Sequence, residues 1–319
     1  TKVNVYNIYN GARGDFMITI CQYLEVVFQE FKSYLQTNPQ LCIHKQMNYH
    51  LKETPDYNNI HLQEHYILRY TYAYAYEYKS MFRKCLPSHQ QFFIDPTIRV
   101  LSIGCGNAVD YWSLVQVAEE KRLTSRIEYT GVDKVIWTYS FQERTKDKLV
   151  VKHDEICDYL TEIAAINYNY IIFPKSICEF SDEDFARILS FFRSVKIENP
   201  RICILTSFRA TPNSCALDQN RFFRVIDSIR KNRNDEFKSI GKEYTIYKGD
   251  EEKIEKRDTS FKYPHIAQIT LGTLHEYCGG FINKGVTCMD CKPLLDRYPL
   301  KCTKDVYYGI ALLEKGSKD

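Results

Sequence analysis

Apolar residues recur at helical spacing through the first part of the chain, then give way to short apolar runs bounded by glycine, aspartate and proline. After Asp15, the residues Ile18, Cys21, Leu24, Phe28 and Phe31 share one face of a helix predicted to run to about Leu35. Asn38-Pro39 ends it. Residues 40–60 are polar and irregular, and a second helix is expected from about His61 to Cys85. The alternating Tyr70, Tyr72, Tyr74, Tyr76 and Tyr78 would suit a strand, but an uninterrupted run this long without Gly or Pro favours a helix. From Arg99 the texture changes. Strands are expected at Arg99–Ile103, Ile127–Val132, Leu149–Val151, Tyr170–Phe173 and Ile202–Thr206. Helices are expected at about Val109–Lys121, Glu155–Ile166, Ser181–Val195 and Asp218–Arg230. Short apolar strands alternating with helices indicate an α/β domain, a parallel sheet covered on both faces. Residues 231–262 break the rhythm with mixed charge and read as an exposed loop or a small hairpin. His265–Leu271 and Val306–Leu313 look like late strands.

Composition adds limits. With 319 residues, 44% hydrophobic and 26% charged, the chain is long enough to bury a core without a metal or disulfide staple. The balance of 43 basic and 40 acidic residues, net +3, does not by itself indicate a nucleic-acid binder. No run approaches a membrane span, and Thr1–Asn10 show no signal-peptide pattern. The 12 cysteines sit mostly at scattered apolar positions, as with Cys21, Cys157 and Cys203, so a reducing, cytoplasmic setting is expected.

The candidate chemistry centres on Gly104-Cys105-Gly106-Asn107-Ala108, between a strand and a helix. Glycine there permits a tight turn and close backbone approach, and helix amides favour an anion or a polar ligand tail. Asp133, at the end of the next strand, suits a ribose diol, since one carboxylate accepts two hydroxyl hydrogen bonds. The dinucleotide pattern GxGxxG fails at Val109, and no P-loop occurs. Adenosine-containing ligands without a pyrophosphate fit best.

In VLSIGCGNAVDYW at 100–112, YTGVDKVIW at 129–137, KHDEI at 152–156 and YNYIIFPKSICEF at 168–180, the chain resembles the class I, S-adenosylmethionine-dependent methyltransferases. The resemblance covers residues 97–313. It implies a seven-stranded Rossmann-like sheet in the order 3-2-1-4-5-7-6 with the last strand antiparallel. It also implies an accessory N-terminal helical region at 1–96, followed by a binding domain at 97–319 with insertions at about 231–262 and 275–303. By that resemblance Gly104, Cys105, Gly106 and Asn107 lie under the methionine portion of S-adenosyl-L-methionine. Asp110 engages its amino group, Asp133 with Lys134 meets the ribose, and Asp154 meets the adenine. Phe173 and Pro174, through to Ser176, face the methyl sulfonium. Tyr70, on an N-terminal helix over the cofactor mouth, is a further candidate contact. The chain has Phe173-Pro174-Lys175-Ser176 where amino-methylating enzymes of DNA carry Asn/Asp-Pro-Pro-Tyr/Phe, and it has no Pro-Cys pair. The acceptor stays open: a small molecule, RNA or protein.

Lys175 and Ser176 are the candidate catalytic residues, placed to hydrogen-bond a substrate, although Lys175 could equally be a solvated turn residue. Glu179 and His153 are weaker candidates for a base. Arg221, Arg224, Arg230, Lys231 and Arg233 could form a patch for RNA or an acidic partner, or simply the outer face of a helix. Cys278, Cys288, Cys291 and Cys302 contain one CxxC step. Four thiolates there could hold a structural zinc, with His275 as an alternative ligand and free thiols as the other reading. That segment could also bind a partner protein. A non-catalytic binding module retaining the fold is the alternative to an enzyme.

Overall fold

The computed structural model describes residues 18–47, 55–86, 93, 96–209, 212–248, 261–284, 291–302 and 306–316. The chain divides into two compact units. One comprises Thr1–Tyr76, Trp137–Ser140 and Glu252–Thr303, and the other Glu77–Ile136, Phe141–Glu251 and Lys304–Asp319.

The first unit is helical. Thr19 caps the helix Ile20–Leu35 through a capping box with Gln22, and Tyr23, Leu24, Val27, Phe28 and Phe31 are buried. A 3-10 helix follows at Leu41–Met47. Asn59 caps the helix Ile60–Tyr66, which continues through one π turn, Ile67–Thr71, into the helix Tyr72–Cys85. The tyrosine run is therefore helical, as its length required, and Tyr70, Tyr72, Tyr74, Tyr76 and Tyr78 are buried. Tyr72 donates to the Phe261 carbonyl at 2.7 Å. The segment Trp137–Ser140 is held by Gln63, which accepts from the Thr138 amide at 2.9 Å, and by Glu64, which accepts from the Tyr139 hydroxyl at 2.7 Å.

The expected strand at His265–Leu271 is a helix, His265–Gly272. Pro264 occupies the N-cap, and Ala267, Thr270 and Leu271 are buried at helical spacing. A run of β-branched residues this short does not separate strand from helix by itself.

The second unit holds the sheet. Its strands are β1 (Ile98–Ile103), β2 (Ile127–Val132), β3 (Lys148–Lys152), β4 (Ala165–Ile166), β5 (Tyr170–Pro174), β6 (Lys196–Ile197), β7 (Arg201–Arg209), β8 (Phe237–Ser239), β9 (Thr245–Lys248) and β10 (Val306–Lys315). β4 and β6 form a separate parallel pair. The main sheet runs β3-β2-β1-β5-β7-β10-β8, with β9 also on β10. β1, β2, β3, β5 and β7 are parallel, and β10 is antiparallel to β7. Both β8 and β9 pair with β10, at residues 313–315 and 307–310 respectively, so two short strands share one edge position. The segment read as a loop or hairpin thus contributes strands that pair with β10, while 249–260 lies outside the described residues. The helices Val109–Glu120, Ile156–Glu162, Asp182–Ser194 and Pro212–Arg230 accompany the sheet. Phe173, Phe185, Ile188, Phe192, Phe222 and Val225 belong to one continuous core cluster. Among the described residues, no helix is long and apolar enough to cross a membrane.

Candidate functional site

The strand order brings the carboxyl ends of β1, β2 and β5 side by side, and the glycine turn lies there. Gly104, Gly106 and Ala108 have φ of 74°, 56° and 61°, so the chain leaves β1 through alternate left-handed residues. The Gly104 and Cys105 amides both donate to the Val132 carbonyl of β2, at 2.8 and 3.2 Å. Gly104 has a second constraint: a Cβ there would lie 2.5 Å from that of Ser176. Gly106 has none, since a Cβ would meet no atom within 4 Å, and its glycine answers to conformation alone.

Asp133 closes the turn. One carboxylate oxygen accepts from the Gly106 amide at 2.7 Å and the other from the Val135 amide at 2.9 Å. A carboxylate has about four acceptor positions, so an acid at the end of β2 can serve more than one donor at once. Lys134, beside it, is exposed, and Asn107 is buried in the turn. Cys105 is buried, and a Cβ on Gly131 would lie 2.6 Å from its sulfur, so the glycine in β2 makes room for the thiol. Asp154 is exposed, just beyond β3.

Asp110 is fully buried, where its carboxylate accepts from the Ser102 hydroxyl at 2.7 Å and the Tyr129 hydroxyl at 2.8 Å. It braces the first turn of the helix Val109–Glu120 against β1 and β2. Burial raises its pKa to about 6, against the hydrogen bonds, which lower it. Stability from protonated Asp110 is therefore full below about 3.8, the unfolded value, and is lost as pH rises through about 6. Asp110→Asn cannot ionise, so between pH 4 and pH 8 it should gain about 2 kcal/mol relative to the parent chain. Urea denaturation at the two pH values measures this; parallel profiles would contradict it.

After β5, Lys175 also adopts a left-handed conformation, φ 57°. Its ammonium lies 2.9 Å from the carboxylate of Glu77, which is fully buried on the helix Tyr72–Cys85. Lys175 is thus neither a solvated turn residue nor a bare cation. The Ser176 hydroxyl donates to the Ile103 carbonyl at 2.5 Å and is buried against Gly104. Phe173 is buried in the core cluster, and Pro174 ends β5. Gly104, Gly106, Asp133 and Ser176 therefore converge on one turn. Tyr70 belongs to the other unit, where it packs on Tyr66 and Tyr74.

The fold follows from the topology. An order β3-β2-β1-β5-β7-β10-β8 with β10 reversed, a glycine turn after β1 and an acid after β2 reproduce the arrangement that the sequence motifs imply. The fold is that of the class I methyltransferases. No protein-family model matches the chain, and no curated protein matches its sequence. Solved structures to which it is similar include a SAM-dependent methyltransferase from Archaeoglobus fulgidus, at 15% identity over 75% of this chain and 94% of that one, TM-score 0.37. A putative SAM-dependent methyltransferase from Streptococcus mutans shows 11% identity over 68% of this chain and 44% of that one, TM-score 0.32, so the match spans under half of that protein. The CurJ carbon methyltransferase shows 11% identity over 91% of this chain and 71% of that one, TM-score 0.41. Strand order, not these distant likenesses, carries the methyltransferase fold.

The structural zinc expected from the late cysteines is corrected. Among the described residues, no group of three or more His, Cys, Asp or Glu side chains could hold a metal ion. Cys278 is buried and Cys302 exposed. His275, the alternative ligand, instead has its Nδ1 2.5 Å from the Asp296 carboxylate. Cys288 and the side chain of Cys291 lie outside the described residues.

The basic residues of the helix Pro212–Arg230 and its end are largely committed within the protein. Arg221 is buried, and Arg224 lies 5.1 Å from the Phe185 ring centroid. Arg230 pairs with Glu243, and Lys231 with Asp227.

Two features escaped sequence reasoning. Glu77 lay inside the tyrosine run, with nothing local to mark it as the partner of Lys175. Asp218 had served only as the first residue of an expected helix that in fact begins at Pro212.

Proposed function

We propose that this chain binds S-adenosylmethionine at the Gly104–Asn107 turn and transfers its methyl group to an acceptor. The observation that supports this most is the Asp133 carboxylate fastened to the Gly106 amide at the carboxyl ends of β1 and β2. The residues present fit the cofactor. Asp133 places a carboxylate, the acceptor type that ribose hydroxyls donate to, at the end of β2, and a Cβ on Gly106 would meet no atom within 4 Å. When bound, the cofactor supplies an electrophilic methyl on a sulfonium.

The protein's part is to hold the turn, orient the acceptor and exclude water. Asp133 orients the ribose, and Asn107 and Cys105 shape the turn beneath the methionine portion. Asp110, tied to Ser102 and Tyr129, acts beneath the turn as a brace. Lys175, with Glu77 neutralising it, presents a paired ammonium on the acceptor side, and Ser176 fixes the approach of the two loops.

The runner-up, a binding module without catalysis, draws support from the same loop. Both residues named as catalytic are engaged within the protein, Lys175 with Glu77 and Ser176 with Ile103. Tritium transfer from S-adenosyl-[methyl-3H]methionine separates the two readings, using extract split into small-molecule and macromolecular fractions. Incorporation in one fraction, abolished by Asp133→Ala, is the expected result. Cofactor binding with no label in either fraction would favour the module.

A further inference from the structure

Lys175 and Ser176 are both engaged within the protein, and so is most of the loop that follows them. Ser176 donates to the Ile103 carbonyl of β1 and abuts Gly104. Arg221, buried on the helix Pro212–Arg230, donates to the Ile177 and Phe180 carbonyls at 3.0 and 2.8 Å. It also donates to the Asp182 carboxylate at 2.8 Å. The Cys178 thiol donates to the Asp218 carboxylate of the same helix. A turn closed by the Glu179 amide on the Ser176 carbonyl, at 2.9 Å, completes the loop. The backbone on both sides of Glu179 is therefore fixed to β1 and to the helix after β7.

The Glu179 side chain is the exception. It is exposed, and among the described residues its carboxylate makes no hydrogen bond and no ion pair. Protein nonetheless surrounds it closely enough to raise its pKa; Asp133 and Asp218 act in the same sense, and Arg209 and Lys134 act against it. Asp133 and Lys134 follow β2, Arg209 ends β7, and Asp218 lies on the helix Pro212–Arg230. An open surface with charged groups on several sides is the position of a side chain on the wall of a concavity, here at the carboxyl ends of β2, β5 and β7. With its backbone already ordered, Glu179 can meet a ligand at little further cost in conformational freedom.

We propose that Glu179 is the general base of this site, accepting the N–H or O–H of the methyl acceptor and taking the proton that the attacking atom must lose. This rests on the reading of the turn as the S-adenosylmethionine site. In the balanced step the acceptor nitrogen or oxygen bonds to the methyl carbon. The sulfur–carbon bond breaks with its electron pair left on sulfur, and one proton passes from the acceptor to the Glu179 carboxylate and on to solvent. The acceptor class follows: a nitrogen or oxygen that carries a proton. An ionised carboxylate has no proton to give and would meet a like charge in Glu179. A raised pKa suits the role, because a base works best when its pKa lies near the operating pH.

Initial rates of tritium transfer from S-adenosyl-[methyl-3H]methionine into the extract fractions test this before the acceptor is known. Glu179→Gln should slow labelling about 100-fold, as expected for a lost general base, while calorimetry shows S-adenosylhomocysteine binding unchanged. Glu179→Ala should be equally slow, and added sodium formate should recover part of its rate, because a small carboxylate can stand where the side chain was removed. A purely structural role would not respond to formate. The label should also resist alkali. Glu179→Gln that labels at the parent rate would overturn the proposal, as would Glu179→Ala that formate does not rescue. So would a loss found in His153→Gln and not in Glu179→Gln, or label that alkali releases as methanol, the mark of a methyl ester. These outcomes leave the cofactor site standing. Parent chain that binds S-adenosylhomocysteine but labels neither fraction overturns methyl transfer and this proposal together, and parent chain that binds neither cofactor form overturns the cofactor reading as well.

Discussion

Gly104→Ala should destabilise the chain by about 3 kcal/mol, combining a left-handed backbone penalty with overpacking. Gly104 has φ 74°, and the added methyl would lie 2.5 Å from the Ser176 Cβ. That atom adjoins the backbone and cannot swing aside as a flexible side-chain end would. Gly106 supplies the internal comparison. Its φ is 56°, yet a Cβ there meets nothing within 4 Å. Gly106→Ala should therefore cost about 1 kcal/mol, the conformational part alone. The two terms can be separated. Ser176→Gly in the Gly104→Ala background should recover stability, because it removes the opposing Cβ, and the non-additivity in a double-mutant cycle measures the clash. Equal losses for the two glycine variants, or strict additivity with Ser176→Gly, would contradict this account of the turn.

The second large effect lies in the helical unit and is driven by pH. His44 and His65 are both fully buried, with their Nδ1 atoms 3.2 Å apart, and both pack on Phe31. One ring must donate to the other, which holds only while at least one is neutral. Burial, followed by the charge of His61, lowers His44 from 6.5 to about 3. Burial, then His44, Arg69 and Arg297, holds His65 well below its ordinary value. Both folded values are depressed below the unfolded one. Stability is therefore full above about 6.5 and is lost as pH falls toward 3, because the unfolded chain takes up protons that the folded chain refuses. His44 alone contributes about 2 kcal/mol of loss between pH 7 and pH 5, and His65 acts in the same direction. The raised carboxylates, Asp110 among them, act in the opposite sense over part of this range, so a variant comparison isolates the histidine. Relative to His44→Gln, the parent chain should lose about 2 kcal/mol more on going from pH 7 to pH 5. Denaturant titrations at both pH values provide the measurement, and a pH-independent difference would contradict it.

Much of the α/β half was legible in the sequence, because its strands advertise themselves. Arg99–Ile103 and Ile127–Val132 are apolar runs that stop at a glycine and an aspartate, and both became strands with those residues at their carboxyl ends. The ends of the strands are also where the resemblance located the cofactor, so Gly104, Gly106 and Asp133 were found together. What the sequence hid depends on contacts across long separations. Nothing near Lys175 identifies Glu77 as its partner, and nothing near Asp110 shows that Tyr129 and Ser102 occupy its carboxylate. Periodicity gave no decision for the short run at His265–Leu271, where Pro264 at the N-cap and burial of Ala267 and Leu271 settle a helix. The late cysteines misled for a different reason: spacing along the chain suggests a ligand set, whereas ligation needs convergence. Cys278 is buried, Cys302 is exposed, and His275 lies against Asp296.

Isothermal calorimetry with S-adenosylmethionine and S-adenosylhomocysteine, with NADH as the control, tests the central claim most directly. The site described here predicts micromolar binding of the first two, none of NADH, and a loss in Asp133→Ala of about tenfold or more for the missing ribose contacts, each hydrogen bond to a charged group being worth about 1.5–3 kcal/mol. Folded parent chain that binds neither ligand, or Asp133→Ala that binds as well as the parent, would contradict the assignment of the turn between β1 and β2 as the cofactor site.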